Sequence, residues 1–439
     1  MLAGVLLSLG ASSPSADDSG VSDLEISPVD AGPEFHTSDP QVQDLIRVLL
    51  DENPEIRSAR AFSESLLERV PQARSLDDPQ LSYRYFASTP ETRVGPQVQT
   101  LELSQGIPWA GKRRLQAQRA EHTAIGAKWR VRDLERLLVA ELKRAYFEVA
   151  YLQEALTVNA EERSLLARFE SIALMRYATG EGIQQSVVKV QTDLTRLDDQ
   201  ETALRERLDV VLRRIAELIG RPGSPLTLQP ITLEVPENDF DRSELEKAAE
   251  TAHPRVLAAE QQIAADETWS RQRTLESRPD FRVGIGYTQV RQREDPAGIL
   301  MPPEDNGKDV LALAVGINIP LYRKRIRAGV AEAQESLASS QERLSTDQNR
   351  LRFLVQESIL RVESLGERCR LFDEVLILQA EESLASAEAA YTTNRLGFLD
   401  LLDAERVLFQ VRLTYHRLVS DFWMAMTDLE FATGQRFPR

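Results

Sequence analysis

Two aspartates three residues apart, Asp400 and Asp403, stand just beyond the glycine- and asparagine-containing break Tyr391-Thr-Thr-Asn-Arg-Leu-Gly397. On a helix that spacing puts both carboxylates on one face. Stacked around a passage by several copies of a chain, such a pair forms acidic rings, which set cation preference and raise a barrier at a constriction. The alternative is two carboxylates on a solvated helix near its N-terminus, where the helix dipole favours negative charge. Other chemistry is thinly represented. The four histidines, His36, His122, His253 and His416, are scattered, with no His-x-x-x-His pair and no cysteine nearby. The five methionines form no cluster suited to soft metals. The single cysteine, Cys369, excludes an intramolecular disulfide framework and sits on a helical seam as a small core residue. The Gly-x-Gly at Gly284 to Gly286 lies inside a strand pattern with no helix after it, so it is no phosphate-binding loop. No cofactor, resident metal or catalytic group is expected, and the chain does not read as an enzyme.

The elements that position the aspartates follow from the prolines. All 21 prolines lie outside two windows, Trp109 to Arg221 and Leu321 to Phe437. Proline costs about 3 kcal/mol inside a helix, so long proline-free windows predict very long helices. In the first, Leu134, Leu138, Leu142, Ala145, Val149, Leu152 and Leu156 recur at three- and four-residue steps, and Leu194, Leu197, Leu204, Leu208, Val211, Ile215 and Leu218 continue them. In the second, Leu351, Val355, Val362, Leu365, Cys369, Phe372 and Leu376 do the same. These are coiled-coil seam positions. Each window breaks once, at Tyr177-Ala-Thr-Gly-Glu-Gly182 and at Tyr391 to Gly397, where Gly and Asn supply left-handed backbone for a turn. Each window is therefore expected to form a helix of about 65 residues, roughly 100 Å long, a tight tip, and a returning helix of about 37 residues.

The windows are copies. Ile107-Pro108 with Lys112-Arg113 matches Ile319-Pro320 with Lys324-Arg325, and Tyr177 through Leu194 aligns ungapped with Tyr391 through Leu408. Upstream, Asn53-Pro54-Glu55-Ile56 parallels His253-Pro254-Arg255-Val256, and Asp78-Pro79 parallels Arg278-Pro279. Repeats of this length are duplicated modules. The expected organisation is a signal-like apolar start and acidic leader over 1–39, a first repeat over 40–219, a Pro-rich linker over 220–241 and a second repeat over 242–435. Met1 to Gly10 resembles the apolar region of a secretory signal, with Ala11-Ser12-Ser13 as its cleavage site, although the usual preceding positive residues are missing.

Each repeat carries a strand pair ahead of its long window. Phe281, Val283, Ile285 and Tyr287 alternate with Arg282, Gly284, Gly286 and Thr288; Leu311, Leu313, Val315 and Ile317 alternate with Ala312, Ala314, Gly316 and Asn318. The first copy is rougher, with Leu81, Tyr83 and Tyr85 in one strand and Leu101 and Leu103 in the other. Such segments suit a transmembrane β-barrel or a half-buried soluble hairpin. Four strands cannot close on themselves, and an open edge cannot sit in lipid. Two chains would give about eight strands, filled by side chains, and three about twelve, with a usable lumen. The expected fold class is α+β: long helical hairpins in an α-barrel, with four strands per chain joining a trimeric transmembrane β-barrel. No run of about 18 apolar residues predicts a transmembrane helix. A net charge of −16 argues against a nucleic-acid partner.

The duplicated strand–strand–long-helix–short-helix order, Asp78-Pro79 before the first strand, and Leu103-Ser-Gln-Gly-Ile-Pro-Trp-Ala-Gly-Lys112 at the strand-to-helix passage resemble the TolC-type outer-membrane efflux proteins. The resemblance covers nearly all of residues 40–435 and rests on order and duplication. It implies a homotrimeric passive duct in outer-membrane lipid, extending into the periplasm and joined by a membrane-fusion adaptor to an inner-membrane, proton-driven transporter. The Ile-Pro-Trp-Ala-Gly-Lys wording looks most like the branch serving cobalt–zinc–cadmium and copper–silver export; multidrug or type I secretion cargo is the alternative. The N-terminal lipidated cysteine of many members of that branch has no counterpart here. The family's Asp-x-x-Asp gate corresponds to Asp400 and Asp403, with Ser186 at the equivalent place in the first repeat. Leu396 takes the position of the family's gating arginine, and Arg395 precedes it, so an altered latch is implied. The tips Tyr177, Gly180, Gly182 and Tyr391, Asn394, Gly397 resemble adaptor-docking ends. A soluble coiled-coil scaffold or adaptor remains the reading from a different class, and the strand pairs discriminate between the two.

Overall fold

The computed structural model describes residues 39–236 and 240–434. The signal-like start over 1–38 and residues 237–239 of the linker lie outside the described residues. Two proline-led helices open the described chain. Asp39 caps α1 (Pro40–Glu52) by accepting from the Gln41 amide at 2.9 Å, and Asn53 caps α2 (Pro54–Leu67). Proline suits the first helical turn, where its missing N–H would have no intrahelical acceptor. A short α3 (Arg69–Arg74) leads into the hairpin β1 (Gln80–Tyr85) and β2 (Gln97–Ile107). Then come α4 (Lys112–Ala178), 67 residues long, and α5 (Gln184–Leu218), 35 residues.

The order recurs: α6 (Arg242–Ala252), α7 (Pro254–Thr274), β3 (Phe281–Val290), a short loop helix α8 (Pro296–Leu300), and β4 (Val310–Ile317). The second long arm comprises α9 (Arg323–Leu371), a π-helical turn (Phe372–Leu376) and α10 (Ile377–Thr392), and α11 (Phe398–Thr433) returns. The π turn has a reason in the repeat. Lys324 to Tyr391 is two residues longer than Lys112 to Tyr177, and a π turn takes up extra residues within a continuous helix.

The helices of the two halves interleave. The first long helix packs along α5 of its own half and along α7 and α11 of the other, while α9 packs on α7 and α11. Seam residues fill separate apolar clusters. One around Leu142, Tyr146, Phe147 and Ile215 sits in the first half, one around Leu351, Val355 and Leu429 in the second. A third, containing Leu165, Phe169, Leu197, Leu401 and Phe409, lies toward the tips. Polar pairs fix the register of α4 against α11. Lys143, buried, meets Glu430 at 2.5 Å, Arg417 meets Glu148 at 2.6 Å, and the Ser420 hydroxyl donates to Phe147 O at 2.8 Å. A buried charge without its partner costs several kcal/mol, so a slipped register is penalised. Leu226, Leu228 and Ile231 of the Pro-rich segment pack on the first-half cluster, and the Trp423 indole donates to Glu234 O at 3.0 Å.

Candidate functional site at the sheet and the helical tips

The strands form one antiparallel sheet in the order β1-β2-β3-β4, so β2 and β3 join the two halves and β1 and β4 are open edges. Register decides what each face carries. Leu81 aligns with Leu103, Ile285 and Leu313, and Tyr83 aligns with Leu101, Tyr287 and Leu311. The alternate rows are Gln80, Ser104, Gly284 and Ala314, and Ser82, Glu102, Gly286 and Ala312. One face is therefore apolar from edge to edge and the other is small or polar. Among the described residues no helix covers either face, and the apolar rows are open, with Leu81 at 67% and Leu313 at 82% exposed. Exposed apolar area of this extent marks an interaction surface. Among the described residues no helix is long and apolar enough to cross a membrane.

At the helix end of the sheet, Asp280 ties the two halves together. Its carboxylate accepts from Lys112 Nζ at 2.7 Å and from the Trp109 amide at 2.8 Å. Lys112 is thus held at the junction of the two halves, its ammonium also donating to Arg278 O at 3.1 Å. At the other end, a Cβ on Gly95 would sit 1.8 Å from Arg291 O, so the loops of the two hairpins meet there through backbone.

The tips of the helical hairpins hold the remaining candidate residues. At the first, Gly180 has φ 78 and closes the turn after α4, and the Gly182 amide donates back to Arg176 O at 2.9 Å. At the second, Asn394 has φ 58, the one positive value at a non-glycine among the described residues, and the Arg395 amide donates to Ala390 O at 2.9 Å. Not every glycine of the tips supplies left-handed backbone. Gly397 is extended, with φ −73, and precedes α11 as its cap residue. Gly182 instead sits close against the end of α4, where a Cβ would lie 3.1 Å from the Arg176 backbone, a tight contact.

Equivalent tip residues occupy different surroundings. Tyr177 is 49% exposed, whereas Tyr391 is 6% exposed and packs on Phe398. The Arg176 guanidinium stacks over the Tyr391 ring at 4.2 Å and donates to Tyr391 O at 3.1 Å, clasping one tip to the other. Asp400, Asp403 and Arg395 are exposed, while Ser186 is buried. Within the single chain the structure brings Asp400 and Asp403 to one surface and keeps Ser186 inside. Among the described residues no cation pairs with either aspartate.

Sequence reading missed two features. Arg176 has Ala390 as its counterpart in the second copy, so comparing the repeats could have singled it out. The other is Glu405, which interrupts the apolar series Phe398, Leu401, Leu402, Leu408 and Phe409 at a seam position. A charge at a seam position was the available signal.

Comparison with known proteins agrees with this architecture. Residues 45–221 match the family described as outer membrane efflux protein. The cobalt-zinc-cadmium resistance protein CzcC of Cupriavidus metallidurans is 21% identical over 377 residues, covering 83% of each chain. Among solved structures, CusC superposes with a TM-score of 0.77 at 16% identity, covering 92% of this chain and 94% of that one. The outer membrane protein VceC from Vibrio cholerae superposes at 0.75 and 18%, covering 91% and 98%. The Neisseria gonorrhoeae outer membrane channel MtrE gives 0.72 at 19%, with 90% and 89% covered. Over residues 45–221 the chain matches the outer membrane efflux protein family, and over most of its length it has the fold of these solved outer-membrane channels.

Proposed function

We propose that this protein acts as the homotrimeric, passive outer-membrane duct of a tripartite exporter. The observation that carries this reading is the sheet. It is apolar across four strands from both halves, open at both edges and covered by no helix among the described residues. In hydrocarbon every backbone N–H and C=O needs a partner, so β1 of one chain must pair with β4 of the next. Three chains give about twelve strands, enough for a lumen. A soluble scaffold would leave the same rows in water. Purification of the full chain in detergent as a cross-linkable trimer, with discrete conductance in a planar bilayer, is the expected result. A chain that stays monomeric and soluble without detergent would remove the reading.

The long arms carry the duct into the periplasm, where Tyr177, Gly180, Gly182, Tyr391, Asn394 and Gly397 form the ends that meet a membrane-fusion adaptor. The adaptor in turn connects to a proton-driven inner-membrane transporter. Asp400 and Asp403, exposed in the first turns of α11, are the gate acids, with Arg395 exposed on the tip that precedes them. Buried Ser186 contributes packing at the equivalent place in the first half. Heavy-metal cations are the substrate class we favour, supported by the relative named for cobalt, zinc and cadmium resistance. Deleting the gene and measuring growth at graded zinc, cobalt and cadmium concentrations tests the cargo. Unchanged metal tolerance together with new sensitivity to organic drugs would move the assignment to multidrug export.

A further inference from the structure

Beneath the tips, the apolar cluster that joins the two hairpins contains an acid. Phe398, Leu401, Leu402, Leu408 and Phe409 line the buried face of α11, and Glu405 takes the place among them, 3% exposed. Its Oε1 atom has no hydrogen-bond partner. Two further buried carboxylates lie nearby, Glu162 from α4 and Asp193 from α5. Those two have cations reaching in from more exposed positions. Arg196 lies 3.3 Å from Glu162, Lys189 lies 3.1 Å from Asp193, and Arg196 and Arg406 each lie 3.9 Å from Asp193. The remaining helix packed on α11 here, α10, brings Leu384 and Ala387, and its Glu381 is held by Arg412 at 2.6 Å. Glu161 of α4 is held by the same Arg412, at 3.0 Å. Glu405 is thus the carboxylate of the group left without a direct counter-ion. The three are not arranged as a metal cage.

We propose that Glu405 is a proton-operated switch for the tip: protonated, it lets α11 lie against α4 and α5, and ionised, it pushes α11 away and loosens the periplasmic end. An uncharged carboxyl can be accommodated in an apolar seam. A carboxylate there is deprived of water and repelled by two more. Burial, then the charges of Glu162 and Asp193, push the Glu405 carboxyl up to about 8, outweighing the attraction of Arg196 and Arg406. Burial also raises Glu162. The packed tip therefore holds a proton that the opened tip releases. Packing is tightest below the ordinary carboxylate range and weakens as pH rises through that range toward 8. Above 8 both states are ionised and nothing further is lost.

The switch belongs to the tip packing itself; its effect on transport rests on the duct reading, and two readouts separate them. The first is hydrogen exchange over residues 398–412 of the full chain in detergent, corrected for intrinsic rates. The opening equilibrium should rise by up to about tenfold per pH unit between pH 5 and pH 8, then level off. Glu405→Gln, close to the protonated side chain in shape, should flatten that rise. Glu162→Gln, which removes one repelling charge, should shift it to lower pH. Unchanged exchange over α1 and α2 checks that the variants fold. The second readout is conductance in a planar bilayer, which should grow over the same pH range in the wild type and stay flat in Glu405→Gln. Exchange that follows the switch while no conductance is measurable keeps the switch and counts against the duct. A pH-independent wild type, or a Glu405→Gln protein that keeps the wild-type slope, overturns the proposal.

Discussion

Asn53 in the first half and His253 in the second perform one task with different chemistry. Asn53 precedes Pro54, accepts from the Glu55 and Ile56 amides at 2.8 and 3.0 Å, and donates from Nδ2 to Leu218 O at 2.7 Å. His253 precedes Pro254, accepts from the Arg255 amide on Nδ1 at 3.1 Å, and donates from Nε2 to Phe431 O at 3.1 Å. Each side chain caps the start of a short helix and ties it to the end of the returning long helix. Both are buried, so the duplicated fold requires a cap that is also a donor and leaves its identity free. The imidazole adds a property that the amide lacks. Burial outweighs the attraction of Asp133 and pushes His253 down to about 4. The tips show a similar divergence: Ser186 is buried where Asp400 is exposed, and Tyr177 is exposed where Tyr391 is covered by Arg176. Duplication preserved the backbone plan while equivalent positions took separate roles.

The comparison can be broken first at the sheet, where the halves ought to behave alike. Leu103→Arg and Leu313→Arg place a charge in the same apolar row, and each should cost about 2–4 kcal/mol, as for arginine at mid-bilayer on a barrel's lipid face. Ala314→Arg, on the opposite face, should be tolerated far better. Heat resistance of the assembled protein on gels measures both, and equal loss from Ala314→Arg would remove the assignment of faces.

At the caps, Asn53→Ala and His253→Ala should each destabilise by about 2–3 kcal/mol, through loss of the cap and of a buried donor, read by urea unfolding in detergent. Their pH responses should differ. His253 is neutral in the folded state, so its contribution is complete above about pH 6.5. It is lost as pH falls through that value and levels off near the folded value of 4. His253→Asn should keep the cap and remove this acid sensitivity. An unchanged pH profile in that variant would assign the sensitivity elsewhere.

At the tips, Arg176→Ala removes a cation–π contact and a hydrogen bond, together about 1–2 kcal/mol. Faster hydrogen exchange at Tyr391 to Phe398 is the expected sign, and Ala390→Arg in that background should fail to restore the clasp. The smallest stability effect, below about 0.5 kcal/mol as for exposed surface changes, belongs to Asp400→Ala with Asp403→Ala. There the change should appear in conductance and in block by multivalent cations. Unaltered block would take these aspartates out of the gate.

Much of the architecture follows from local rules, which is why it can be read from the sequence. Proline cannot enter a helix interior, so its absence marked both long arms to within a few residues. Alternation with period two identified which residues of β3 and β4 share a face. Gly180 and Asn394 marked the tips because few residues accept positive φ. Other features depend on which segments meet. Nothing local announces that Arg176 lies over Tyr391, that Lys112 is held by Asp280, or that Ser186 turns inward while Asp400 turns outward. Those contacts join residues far apart in the chain. The duplicated order, the helix lengths and the facing of the strands were determined by the sequence itself, because each depends on backbone sterics or on periodicity. Only the tertiary structure decided that Glu405 shares an apolar core with Glu162 and Asp193, because long-range packing, and not residue type, sets whether a carboxylate meets water, a cation or another acid.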